Sequence, residues 1–394
     1  MVIYYKMIKP NKRYLTFLII GYLCVEVFSQ AIGHTTVTFV DESRNNRPIQ
    51  TEIYYPATAA GNNTPIASGA YPLIVFGHGF LMTWTAYENI WTTLVPKGYI
   101  VVFPTTESGF APSHANFGQD LKFLDAKIKS SGAGATVPVS SLANTSAVMG
   151  HSMGGGSAIL AAANNTSVTT LVTFAAANTN PSSVEAAKEV TVPTLVFSGT
   201  NDCITPAVQH QDIMFDTTLS ILKTQVYIKG GSHCYFANDN IYCSIGESTC
   251  TPAPTITREE QQSTTSDFLI QWLEYFLKSN CEEAIEFQDS LQNSDRIGYR
   301  QSQGIACTSS TTGNIDPKNG LSIYPNPNQG EFTINSSFEI KSISVTDSMG
   351  NVVTSFYGPG HVFPLNLSHL TGGVYFISIA GKNGESHIEK LIIK

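Results

Sequence analysis

Charged side chains are scarce in this 394-residue sequence: Asp, Glu, Lys and Arg make up 13%, against about 25% in ordinary soluble domains. With 42% apolar residues, that excludes the low-hydropathy, highly charged composition of a disordered chain. Basic residues are scarcer than acidic ones, 22 against 30 for a net charge of −8, and no basic run occurs beyond the first 13 positions. A phosphate-binding surface is thereby disfavoured, and no nucleic-acid partner is expected. No Cys-x-x-Cys or His-rich spacing is present, so neither a zinc site nor any other metal is expected. The apolar run from Tyr14 to Phe28 contains Glu26, and at about 15 residues it falls short of the roughly 20 needed to span a bilayer.

Lys6, Lys9, Lys12 and Arg13 precede that run, and Ser29-Gln30-Ala31 follows it. A basic segment, a short apolar segment and a small-residue site read as a cleaved secretory signal peptide over residues 1–30. Of seven cysteines, Cys24 leaves with it, and the remaining six can pair fully in an oxidising compartment. Fifteen pairings are possible. Proximity in sequence favours Cys203 with Cys234, Cys243 with Cys250, and Cys281 with Cys307, the alternative being six unpaired thiols.

Residues 31–285 alternate short apolar, β-branched runs with helical patterns. Tyr71 to Phe76, Tyr99 to Phe103, Ser146 to Met149, Thr170 to Phe174, Thr194 to Phe197 and Gln225 to Ile228 read as strands covered on both faces. Ala86 to Val95, Asn116 to Lys129, Ser157 to Ala163, Pro206 to Asp216 and Ser266 to Lys278 read as the helices between and after them. Thr35 to Phe39 and Gln50 to Tyr55 read as antiparallel strands at one edge. The fold class is therefore α/β, a sandwich around a mainly parallel central sheet. Residues 286–319 read as a disulfide-tied extension and linker, rich in Ser, Thr, Gly and Asn after Cys307. Residues 320–394 break into short alternating segments separated by turns such as Pro325-Asn326-Pro327-Asn328, the pattern of a small all-β sandwich.

The chemistry collects at four loops. Strand Ser146 to Met149 runs into Gly150-His151-Ser152-Met153-Gly154 and then a helix, the strand-turn-helix setting of a nucleophilic serine. A base and an orienting carboxylate should follow in the order Ser, Asp, His. Asp202 lies just beyond strand Thr194 to Phe197, and His233 in the loop after Gln225 to Ile228. Strand ends on one side of a parallel sheet converge, so Ser152, Asp202 and His233 can meet. His210 is the weaker competitor for the base. The oxyanion of acyl transfer needs two N–H donors, for which Met153 and Phe80, in Gly77-His78-Gly79-Phe80, are the candidates.

In that order these loops resemble the α/β-hydrolase fold, and more narrowly the dienelactone-hydrolase-like polyesterases that include bacterial cutinases and poly(ethylene terephthalate) hydrolases. The resemblance rests on Gly79-Phe80, Ser152-Met153-Gly154-Gly155, Val192-Pro193-Thr194 with Asn201-Asp202, and Gly230-Gly231-Ser232-His233. It implies Ser152 as nucleophile, His233 as general base, Asp202 as its orienter, and Phe80 and Met153 as both oxyanion donors and an aromatic and thioether floor. It also implies a disulfide joining the Asp and His loops, for which Cys203 and Cys234 look like a local version. Family members commonly carry a tryptophan in the loop that here runs from Ala177 to Glu189, and this loop has no aromatic residue. Of Trp84, Trp91 and Trp272, only Trp84 lies near an active-site loop, which makes it the third candidate substrate contact.

The C-terminal segment has its own resemblance. Ile323-Tyr324-Pro325-Asn326-Pro327, Ser344 to Gly350, Leu370-Thr371-Gly372-Gly373-Val374-Tyr375 and the final Glu389 to Lys394 resemble the sorting domain of type IX secretion substrates of Bacteroidetes. That implies the secretion machinery as a partner and a place outside the cell or on its surface. The expectation is a secreted, monomeric, cofactor-free serine esterase acting on polymeric or lipid-like esters. A lipase or small-ester esterase, and a non-catalytic adhesion protein on the same scaffold, are the alternatives. The spacing between the four loops leaves no room for a large cap, so the site should be open.

Overall fold

A computed structural model describes residues 30–305, 321–348, 350–382, 384 and 386–394. The expected signal peptide, Cys307 and the linker over 306–320 lie outside the described residues.

Strands β1 (Ala31–Asp41), β2 (Arg47–Ala57) and β3 (Gly61–Asn62) open the chain. Then come β4 (Tyr71–Gly77), α1 (Glu88–Leu94), β5 (Ile100–Pro104), α2 (His114–Ser131), β6 (Leu142–His151), α3 (Met153–Ala162), β7 (Thr170–Phe174), α4 (Ser183–Ala187) and β8 (Thr194–Gly199). The unit closes with α5 (Gln211–Thr217), β9 (Lys223–Ile228), α6 (Ile241–Glu247), α7 (Arg258–Lys278), α8 (Cys281–Asn293) and β10 (Ile297–Gln301). All ten strands form one sheet, in the order β10-β9-β8-β7-β6-β4-β5-β2-β1-β3. Strands β5, β4, β6, β7, β8 and β9 are mutually parallel, with β2 antiparallel to β5 and β10 antiparallel to β9.

Every residue of β4, β5, β7 and β8 is buried, which explains why they are mostly apolar and carry no charge. Along β4, Ile74 and Phe76 enter a core with Trp91 of α1, Trp272 of α7 and Phe287 of α8. Leu73 and Val75 point to the other face, against Leu121 and Leu124 of α2 and Ala158 of α3. The sheet is therefore covered on both sides and is α/β, as its sequence pattern predicts.

Several boundaries differ from expectation, among them the start of α3 at Met153 rather than Ser157 and the extent of β6. Helix α7 begins at Arg258 rather than near Ser266, because Thr257 and Glu260 form a reciprocal capping box. The region Pro206 to Asp216 is broken at His210 into a short 3-10 turn and α5. The α/β unit does not end at 285: β10 pairs with β9 from Ile297 to Gln301, and Arg300 reaches Gln225 at 2.9 Å and Asp216 at 2.8 Å. Residues 286–293 thus complete α8, and residues 297–301 belong to the sheet rather than to a linker.

The C-terminal residues form a separate antiparallel sheet of β11 (Leu321–Tyr324), β12 (Glu331–Thr346), β13 (Val352–Asn366), β14 (Gly373–Gly381) and β15 (Ser386–Ile393). Its core includes Ile334, Ile343, Ile377 and Leu391. Two expected segments, Glu331 to Ile334 and Ile340 to Thr346, are one long strand, β12. Register shifts between Asn335 and Ser342 let its first half pair with β11 and its second with β14.

The turn from β6 into α3 depends on backbone contact. A Cβ on Gly150 would collide with the carbonyl oxygen of Gly154, and one on Gly154 with that of Gly77. Because those obstacles are backbone atoms, they cannot swing aside. Gly154→Ala is expected to destabilise the fold by about 1–3 kcal/mol through overpacking, measured as a lower chemical-denaturation midpoint with an unchanged slope.

Candidate active site

Ser152 stands between β6 and α3 with φ 55° and ψ −120°, a left-handed conformation that a non-glycine residue adopts at a cost of about 1–3 kcal/mol. Its N–H donates to Phe174 O at 2.9 Å, and its carbonyl accepts from Ala177 N–H at 3.0 Å. The neighbouring strand thus holds the strained residue from both sides. Met153 opens α3, so its N–H has no acceptor within the helix.

Asp202 and His233 leave the carboxyl ends of the next two strands, where the parallel sheet brings their loops together. His233 Nδ1 lies 2.9 Å from Asp202 Oδ2, and both residues are buried. Asp202 Oδ1 accepts the backbone N–H groups of Ile204 and Thr205, each at 2.8 Å, and Oδ2 accepts the Thr205 hydroxyl at 2.9 Å. Burial alone would push the Asp202 carboxyl up, but His233 and the Thr205 hydrogen bonds together hold it below its ordinary value. With Nδ1 directed at a carboxylate, Nε2 is the ring nitrogen left to act as a base.

Ser152 and His233 line a cleft of about 330 Å³. Phe80, Leu81 and Met82 form one part of its lining, and Ile204, Tyr242 and Ile245 another. The Gly79–Met82 turn is closed by Met82 N–H donating to Gly79 O at 3.1 Å, a bond that does not use the Phe80 N–H. Phe80 itself is 47% exposed at the cleft. A larger cleft of about 540 Å³ lies between α7 and α8, lined by residues such as Asp267, Glu283 and Arg296, with neither histidine nor cysteine among them. Its lining includes Ser290 and Ser294 but no histidine to act as their base.

A family model for PET hydrolase-like proteins matches residues 26–250. The chain belongs to the PET hydrolase-like family. A second model, for the secretion system C-terminal sorting domain, matches residues 322–394 and so accounts for the separate β sheet. The protein is an exported ester hydrolase of the polyesterase and cutinase type, released or held at the cell surface through that sorting domain. No curated protein matches the chain.

Within this PET hydrolase-like site, several sequence-based expectations need correction. The disulfides are Cys203–Cys250 and Cys234–Cys243, with Cα separations of 5.4 and 5.6 Å. Cys203 with Cys234 and Cys243 with Cys250 are not the pairs, because the chain after His233 folds back over the Asp and His loops and brings α6 between them. Cys281 is disulfide-bonded, and its expected partner Cys307 lies outside the described residues. Trp84 does not line the cleft: its indole N–H donates to the Tyr54 hydroxyl at 3.1 Å, and the ring packs on the core. The Met153 side chain is buried and also absent from the lining, whereas Met82, which sequence reasoning missed, is there. His210 is engaged elsewhere, accepting the Asn178 N–H at Nδ1 at 3.0 Å.

Sequence reasoning also missed a role for His151. Tyr87 accepts the Gly79 N–H at 2.8 Å, and its hydroxyl lies 2.9 Å from His151 Nδ1, while His151 Nε2 lies 3.0 Å from the His233 carbonyl. A neutral ring protonated at Nε2 satisfies both contacts, so one chain of hydrogen bonds ties the Gly79-Phe80 loop to the His233 loop. Burial, reinforced by the adjacent His233, pushes His151 down to about 3. In the unfolded chain a histidine takes up its proton near pH 6.5, so the unfolded state binds more protons between these two values. Stability contributed by neutral His151 is fully present above about pH 6.5 and is lost progressively as the pH falls toward 3. His151→Gln is expected to flatten the fall of the thermal midpoint between pH 6.5 and pH 4, as followed by circular dichroism.

Proposed function

We propose that the protein is a serine carboxylic-ester hydrolase that works through an acyl-enzyme on polymeric or otherwise bulky esters. The observation that carries this reading is the placement of Ser152 and His233 in one apolar cleft with Asp202 on the far nitrogen of the imidazole.

The Ser152 hydroxyl attacks the ester carbonyl while His233 Nε2 takes its proton. The carbonyl oxygen gains negative charge, and the N–H groups of Phe80 and Met153 are the donors proposed to receive it. The imidazolium is stabilised by the Asp202 carboxylate, whose own N–H donors keep it ionised. His233 then returns the proton to the leaving alkoxide, which departs as alcohol. Water enters, gives a proton to His233, and attacks the acyl-serine; collapse releases the carboxylic acid and restores the Ser152 hydroxyl. The cycle is balanced by water alone and calls for no cofactor.

Export and an open, apolar cleft suit substrates too large to be enclosed. The site takes no cap from the intervals between its four loops, and Phe80 reaches the solvent beside it. A long ester chain can therefore lie across the opening with one carbonyl at Ser152.

An organophosphonate ester is expected to label the wild-type protein at Ser152 and to leave Ser152→Ala unlabelled, as read by peptide mass spectrometry. Release of soluble aromatic acids from an amorphous terephthalate polyester film is expected from the wild type and to fall at least about 10³-fold in Ser152→Ala. Asp202→Asn is expected to lower kcat by about 10²- to 10⁴-fold with little change in KM. Labelling without release from the film would move the substrate to aliphatic polyesters or lipids. Absence of labelling in the folded protein would overturn the hydrolytic mechanism and favour a scaffold used for adhesion.

A further inference from the structure

Helix α6 fully buries none of its residues, and its contact with the hydrophobic core is the partly buried Cys243. Covalent and polar ties supply most of its hold. Cys243 within it is bonded to Cys234, directly after His233, and Cys250 beyond its end is bonded to Cys203, directly after Asp202. Glu247 accepts the Cys234 N–H at 2.7 Å, and Asn240 caps the first turn. Each end of the helix is thus tethered to a loop that carries one member of the Asp202–His233 pair.

The face this frame presents is apolar. Ile241, Tyr242 and Ile245 are 69%, 51% and 64% exposed, an arrangement that water disfavours and that on a soluble protein marks a surface with a ligand. Tyr242 and Ile245 line the same cleft as Ser152, and Gly246 packs against Ile204 from the Asp loop. Apart from His233, the aromatic rings in that lining are Phe80, on the Gly79-Phe80 loop, and Tyr242, on α6. The loop from Ala177 to Glu189 contributes no ring, and its backbone is occupied by histidines: Asn178 N–H donates to His210 Nδ1 at 3.0 Å, and Asn180 N–H to His114 Nδ1 at 3.1 Å.

Resting on the hydrolytic reading above, we propose that the disulfide-framed helix α6 is the second wall of the substrate cleft. Tyr242 and Ile245 hold a flat aromatic group of the ester in the cleft they share with the Phe80 loop, and this sets a preference for aromatic over aliphatic esters. A rigid wall suits a planar group because a ring placed between two apolar surfaces gains contact on both faces. Fixing that wall through disulfides removes the ordering that a free loop would undergo on binding.

The test is the ratio of kcat/KM for a soluble aromatic diester, bis(hydroxyethyl) terephthalate, to that for an aliphatic ester, ethyl butyrate, in the exported protein. In Tyr242→Ala/Ile245→Ala this ratio is expected to fall at least fivefold, chiefly through a higher KM for the aromatic diester. Tyr242→Phe, which keeps the ring, is expected to retain the wild-type ratio. A double variant that folds normally and slows both substrates equally, or neither, would overturn the proposal. A second arm needs no turnover: binding of the same diester to Ser152→Ala, followed by nuclear magnetic resonance, should weaken at least fivefold when Tyr242→Ala and Ile245→Ala are added. Unchanged binding there sinks the wall. Loss of hydrolysis on both esters in the wild type, with that binding difference intact, sinks the hydrolytic reading while sustaining the wall.

Discussion

The close passage of backbone on backbone at the β6–α3 turn is the constraint on which the site depends. Gly150 and Gly154 leave room for the carbonyls of Gly154 and Gly77, and Ser152 is held between them at φ 55°. The strained serine persists because its N–H and C=O are both engaged by the next strand and its extension. A side chain at either glycine would separate β4, β6 and α3, and with them the Gly79-Phe80 loop from Ser152. The geometry of this turn is a by-product of how tightly a parallel sheet packs against one helix.

From that turn the structure spreads outward in two different ways. Inward, His151 is a buried neutral strut: Tyr87 and the His233 carbonyl engage both of its nitrogens, so the loops on either side of Ser152 share one hydrogen-bonded chain. Outward, α6 is attached chiefly by two disulfides and by the Glu247 hydrogen bond, with little packing. The inner half is ordered by desolvation, which is strong but requires that every polar group be satisfied. The outer half remains apolar and exposed while keeping its position, an arrangement that a packed helix could not offer, since packing would hide the very residues that face the cleft.

Much of this was legible beforehand. The mostly apolar, uncharged runs of β4, β5, β7 and β8 report directly that both sheet faces are covered, and the Gly-x-Ser-x-Gly turn reports its own geometry because only glycine fits there. Other elements left weaker traces. The start of α7 is polar, Arg258 to Asp267, and buries Gln261, Thr264 and Thr265 rather than apolar residues, so hydrophobic periodicity could not find it, although Thr257 and Glu260 spelled its cap. Strand β10 is a half-exposed edge with no alternation to read. Helix α6 buries nothing and therefore has no burial period at all.

Sequence alone determined the α/β alternation, the order of the Ser152, Asp202 and His233 loops, the turn that strains the serine, and the division into an enzyme and a sorting domain. Each of these is written in residues close together along the chain, or in a spacing that the parallel sheet converts into position. Tertiary structure decided the cysteine pairing, the side to which Trp84 turns, the replacement of Met153 by Met82 in the cleft, and the place of α6. Those outcomes depend on which distant segments fold back on one another. Proximity along the chain carries no such information: Cys203 lies 47 residues from Cys250, its partner, yet only 31 from Cys234.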